Sequence, residues 1–137
     1  MATGYRLIEH TADIGLIARG ENLGEAYANA ARGMFSIITD LRKVRLRQSV
    51  TLSISEQNLD MLLFEWLNRL LFYFDTRGII LRDFEVDLAG HSRLTALCRG
   101  EIYDPDRHII KTGIKAATFH QLSVRADTGT VRVIFDV

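Results

Sequence analysis

Glu9-His10-Thr11-Ala12-Asp13 places two carboxylates, an imidazole and a hydroxyl within one short reach of chain. The block lies between the apolar segments Tyr5-Arg6-Leu7-Ile8 and Ile14-Gly15-Leu16-Ile17. An ordinary hairpin turn draws on Gly, Asn, Asp or Pro. Carboxylate, imidazole and hydroxyl groups instead hold metal ions or move protons. A polar turn with a capping Asp is the competing reading, and the block by itself favours it.

A second group closes the sequence: Val131-Arg132-Val133-Ile134-Phe135-Asp136-Val137. The strand pattern runs to the last residue, so the Asp136 side chain and the Val137 carboxylate share a strand end. Two adjacent anions are costly without a counter-charge. Lys or Arg could supply it, as could a hard cation such as Ca²⁺ or Mg²⁺ that takes oxygen ligands. The alternative is an edge strand ending in solvent.

The third group is Thr112-Gly113-Ile114-Lys115-Ala116-Ala117-Thr118-Phe119-His120. Strand alternation puts Thr118 and His120 on one face and Lys115 on the other, and a bulge at Ala116-Ala117 would change that. A lone strand His is commonly a hydrogen-bonded structural residue, and a lone Lys snorkels to the edge.

Arg42-Lys43-Val44-Arg45-Leu46-Arg47, read as a strand, points Lys43, Arg45 and Arg47 to one side. That row could touch RNA phosphates. With no interleaved aromatics, an edge or protein-docking role is the favoured reading. Tyr103-Asp104-Pro105-Asp106-Arg107-His108 is a turn by composition and matches no metal motif. Glu65 lies beside the core stripe of a helix, with Arg69 at i+4 as its expected partner. Phosphate-loop, Gly-x-Ser-x-Gly, His-Glu-x-x-His and Cys-nucleophile templates are absent.

The elements that must position these groups follow from periodicity. Asn22 with Glu25 marks a helix start, followed by Leu23, Ala26, Tyr27, Ala30, Ala31, Met34, Phe35 and Ile38 on one stripe. A second helix is predicted to open at Ser55-Glu56-Gln57. Its stripe is Leu59, Leu62, Leu63, Trp66, Leu67, Leu70, Leu71 and Phe74, widened by Met61, Phe64 and Phe72, with a stop at Gly78. Strands are predicted at 4–9, 13–19 and 50–55, then as hairpins 79–88/92–102 and 114–126/130–136. The order ββαβαββββ predicts an α+β fold, a mostly antiparallel sheet system with both helices packed on it.

At 137 residues, with 47% apolar and 25% charged residues, the chain reads as a single domain over 1–137 with a substantial core. Zero formal net charge argues against a nucleic-acid-binding polycation. Cys98, alone, excludes an internal disulfide and a Cys-based metal site. The sequence holds no targeting segment and no long apolar span, so a cytoplasmic location and no membrane partner are expected.

Taken together, His10-Thr11-Ala12-Asp13-Ile14-Gly15, Ile114 to His120 and the terminal Phe135-Asp136-Val137 resemble the archease family. Leu63-Phe64-Glu65-Trp66-Leu67-Asn68 is similar to that family's central helix, and the resemblance spans essentially the whole chain. It implies a small α+β accessory protein, not itself an enzyme. The implied partner is the GTP-dependent tRNA-splicing RNA ligase, whose active-site histidine it helps to guanylylate over multiple turnovers. RNA would be met only through the ligase. The resemblance also implies a metal site at Asp13, Asp136 and Val137, with Lys115 nearby. His10, Thr118 and His120 are supporting candidates. Ca²⁺ is the ion expected in a crystal, with Mg²⁺ or Mn²⁺ possible in function. Phe119 stands where many members carry Tyr, and Arg69 where Glu is common. The competing readings are a metal-independent, chaperone-like interaction module, a free-standing metal enzyme using Asp13, His120 and Lys115, and a direct RNA binder.

Overall fold

The computed structural model describes residues 3–9 and 13–137. Strands β1 (Gly4–Glu9) and β2 (Asp13–Arg19) lead into helix α1 (Leu23–Ile38) and a short 3-10 turn (Leu41–Lys43). Strand β3 (Gln48–Ser55) and helix α2 (Leu59–Arg77) follow, then β4 (Ile79–Ala89), β5 (Arg93–Ile102), β6 (Ala116–Arg125) and β7 (Thr130–Asp136). The strands form two sheets, ordered β1-β2-β7-β6 and β3-β5-β4. Every pair within them is antiparallel, so the expected α+β class holds.

The first helix starts where its sequence says it should. The Asn22 side chain accepts the Glu25 N–H at 2.9 Å, and the Glu25 carboxylate reaches back to the Glu21 N–H at 3.4 Å. Ala26, Tyr27, Ala30, Ala31, Met34, Phe35 and Ile38 are all fully buried. The second helix starts later than predicted. Its cap is Asn58, which accepts the Met61 N–H, and Asp60 supplies the first-turn acid. Ser55 is claimed by strand pairing with Arg93, and Glu56 donates its N–H to Ser92, so neither is free to open a helix.

Leu62, Leu63, Trp66, Leu67, Leu70 and Leu71 form the buried face of α2. Phe72 departs from the predicted wide apolar face, since it is 56% exposed. The Trp66 indole N–H donates to the Tyr27 carbonyl at 3.0 Å, tying the centre of α2 to α1. Gly78 ends α2 with φ +66°, a conformation that glycine adopts without Cβ strain.

The two late hairpins form as expected, with Ala89 facing Arg93 and Arg125 facing Thr130. The basic run 42–47 forms no strand, so the one-sided row of cations that a strand would make is absent. Asp40 caps the 3-10 turn by accepting the Arg42 N–H, and it also clamps the Arg42 guanidinium. The Arg45 N–H goes to the side chain of Glu101 at 2.7 Å, and only Arg47 joins the sheet's hydrogen-bonding, donating to Gly100. A carboxylate therefore occupies the donor that a strand neighbour would have used.

Candidate functional site

Antiparallel register sets the centre of the candidate site. Strand β2 pairs with β7 so that Asp13 faces Asp136, Ile14 faces Phe135 and Leu16 faces Val133. Leu16, Val133 and Phe135 are fully buried, so alternation turns both carboxylates to the opposite face of the sheet. Like charges directly opposite one another on adjacent strands destabilise a sheet. A cation between them reverses that sign, and carboxylate oxygens are the donors that hard divalent ions take. The donor set thus fits such an ion. Asp13 is half-buried and Asp136 exposed. The Val137 side chain packs partly against the core, which anchors the end of β7 beside Asp136. Among the described residues, no group of three or more His, Cys, Asp or Glu side chains is placed to hold a metal ion. His10 and Thr11, with Ala12, lie outside the described residues.

The third strand brings in the remaining candidates. Ala116 faces Asp136 from β6, and the Lys115 N–H donates to the Asp136 carbonyl at 2.8 Å. Lys115 itself is exposed and precedes the strand. Thr118 faces Ile134, on the same sheet face as Asp136, and its hydroxyl donates to the Ile134 carbonyl at 2.9 Å. The predicted alternation fails after Thr118. The next paired residue is Ser123, opposite Arg132, so 119–122 bulge out against Val133 alone. Gln121 has φ +54° within that bulge and accepts from Arg132 at 2.8 Å. Exposed His120 therefore sits in an irregular segment, and alternation no longer fixes it to the face of Thr118. The bulge comes later than Ala116-Ala117, where the sequence had suggested one.

Asn68 is the positioning residue that sequence reasoning passed over. Its amide accepts the Ala117 N–H at 2.9 Å and donates to the Ala117 carbonyl at 3.2 Å. A side chain of α2 thus acts as the missing neighbour strand for the edge of β6, one residue from the position facing Asp136. Phe119 lies parallel to Phe64 of α2 with ring centroids 3.9 Å apart, a second clamp on the same edge. A polar Asn amid the apolar α2 sequence was the available signal. Glu65 does meet Arg69, at 3.8 Å.

A separate buried network joins the end of β5 to the 104–108 turn. Glu101 is only 4% exposed and receives the Arg107 guanidinium, the Arg45 N–H and the His108 ring. Burial pushes its carboxyl up, but these three donors outweigh that and bring it down to about 2. His108 accepts the Asp104 N–H at Nδ1, 2.9 Å away, which leaves the ring hydrogen on Nε2 facing Glu101. Cys98 is buried, and that burial, with Asp83 adding to it, pushes its thiol up to about 12.

Residues 5–137 match the model of the Archease protein family (MTH1598/TM1083). The chain belongs to the archease family. Its similarity to the protein archease of Aeropyrum pernix is 37% identity over 98% of this chain and 96% of that one. For the protein archease of Sulfolobus acidocaldarius it is 32%, over 98% and 99%. The solution structure of Methanobacterium thermoautotrophicum Protein 1598 superposes with a TM-score of 0.82 at 31% identity, covering 98% and 99% of the two chains. A Thermotoga maritima crystal structure, described as an archease and possible chaperone, shares the fold with a TM-score of 0.64 at 21% identity over 96% of each chain. No helix among the described residues is long and apolar enough to cross a membrane.

Proposed function

We propose that this chain is an accessory protein of a GTP-dependent tRNA-splicing RNA ligase, acting through a divalent cation held at the β2–β7 end. The direct opposition of Asp13 and Asp136 in the sheet register carries this reading. Asp13, Asp136 and a main-chain oxygen of Val137 would hold the ion. The Lys115 N–H, by engaging the Asp136 carbonyl, keeps the Asp136 main chain in place and leaves its carboxylate available. A bound divalent ion offsets triphosphate charge and stabilises charge on a leaving pyrophosphate. The protein's own residues orient that charge and present it at the rim of the sheet. The ligase supplies the nucleophilic histidine and the nucleotide pocket, and this chain promotes the guanylylation of that histidine without joining RNA itself.

The test is a guanylylation time course of the cognate ligase with and without this protein, in EDTA or Mn²⁺. Stimulation that requires the metal, and that Asp136→Ala removes while docking persists, agrees with the reading. Undiminished stimulation by folded, docking Asp136→Ala sinks it. A second reading, a metal-independent interaction module, draws on the exposed aromatics Phe119 and Phe72, 54% and 56% accessible. It predicts stimulation that chelator leaves intact.

A further inference from the structure

The cations of this net-neutral chain are unevenly placed. Arg42, Lys43, Arg45 and Arg107, with Asp106, line a cavity of about 420 Å³. Arg42 also borders a second cavity, of about 420 Å³, shared with Arg32 and Arg82. Two of these cations are already engaged: Asp40 holds Arg42, and Glu101 and Asp104 hold Arg107. Lys43 and Arg45 are exposed and pair with no carboxylate among the described residues.

The floor beneath these side chains is built. Buried Glu101 fixes the Arg45 N–H, while the His108 Nε2 lies 3.0 Å from Glu101 and 3.2 Å from the Lys43 carbonyl. Arg107 donates to that same carbonyl at 3.3 Å. One buried carboxylate thus sets the main chain on both sides of Val44 and the Arg107 side chain. Buried ionic networks contribute little net stability over apolar packing of the same volume. What this one produces is a fixed presentation of cations. The cavity belongs to the segment entering the three-stranded sheet, whereas Asp13 and Asp136 belong to the four-stranded one.

We infer that this pocket binds a phosphate group of an RNA strand. Guanidinium forks match phosphate oxygens, and Lys43 adds a point charge beside them. The lining contains no aromatic residue on which a base could stack, so recognition is of the backbone and insensitive to base sequence. Arg32 and Arg82 extend the cationic lining into the second cavity, where Asp83 also lies. The inference goes beyond ligase activation, because it gives this chain a direct contact with RNA that the ligase does not mediate.

The experiment is fluorescence anisotropy of a labelled single-stranded RNA titrated with the isolated full chain across a KCl series. Three phosphate contacts give a log–log salt slope of about −2. Lys43→Gln/Arg45→Gln, at two exposed positions, is expected to weaken binding at least about tenfold and to flatten the slope by about 1.4. Arg93→Gln, on β5, leaves the affinity unchanged. An unaltered melting temperature certifies that the double variant is folded. Failure of the wild-type chain to bind RNA overturns the inference, as does equal binding by the double variant. Binding of tripolyphosphate without binding of RNA overturns the RNA assignment. A double variant that keeps RNA binding but loses ligase stimulation makes the face a protein-docking surface and overturns it too.

Discussion

Asp13 stands directly opposite Asp136 across the β2–β7 pair, joining the edge of the first hairpin to the last paired residue of the final strand. Nothing in local sequence requires two carboxylates to share one cross-strand position, and in the absence of a cation each makes the other less favourable. The cation proposed to lie between them would relieve that repulsion.

Removing one charge should show that cost directly. In EDTA, Asp136→Asn is expected to stabilise the protein by about 0.2–1 kcal/mol, the range for a relieved cross-strand repulsion. With Ca²⁺ in excess the order reverses, because ion binding to the folded state adds stability only to the wild type. Thermal melts of both proteins with and without Ca²⁺ check this, and equal shifts in both would count against the site.

Asn68 holds the edge of β6 through both polar groups of Ala117. Asn68→Ala is expected to cost about 1–3 kcal/mol, since it strands a donor and an acceptor at a partly buried edge. Hydrogen exchange should accelerate at Ala117 ahead of the core of β7. Ligase stimulation is expected to fall with it, because the strand facing Asp136 loses its clamp.

Glu101 makes stability depend on acid. Its carboxyl falls from an ordinary 4.5 to about 2 in the folded protein. A lowered folded value means that the stabilisation is fully present above the unfolded value and is lost as pH falls from 4.5 through about 2. The drop corresponds to roughly 3 kcal/mol. Glu101→Gln should be less stable than wild type at neutral pH by about this amount, and its stability should decline less over that acid window. Urea unfolding at a series of pH values reads both effects.

Much of this was legible in the residues themselves. Asn22 and Glu25 announced the first helix, and Gly78 the end of the second. Asp13 and Asp136 stood out because polar groups interrupt apolar strand patterns at their ends. The pairing of β2 with β7 is long-range, yet each strand's alternation already selected the face it would bury. Other features had only tertiary causes. Ser55 looked like a helix cap until its partner in β5 claimed it. That the 42–47 run joins no strand has such a cause, since Glu101, far along the chain, takes the Arg45 N–H. The bulge at 119–122 depends on how β6 meets β7 and on Phe119 seating against Phe64.

The proposed function requires Asp13 and Asp136 together to hold a divalent ion. Isothermal titration of Mn²⁺ or Ca²⁺ into the wild-type chain, Asp13→Asn and Asp136→Asn tests it most directly. One binding site in the wild type, with affinity lowered at least about tenfold by either substitution (about 1.4 kcal/mol), is the expected result. Unchanged affinity in both folded variants would place the ion elsewhere and contradict the account.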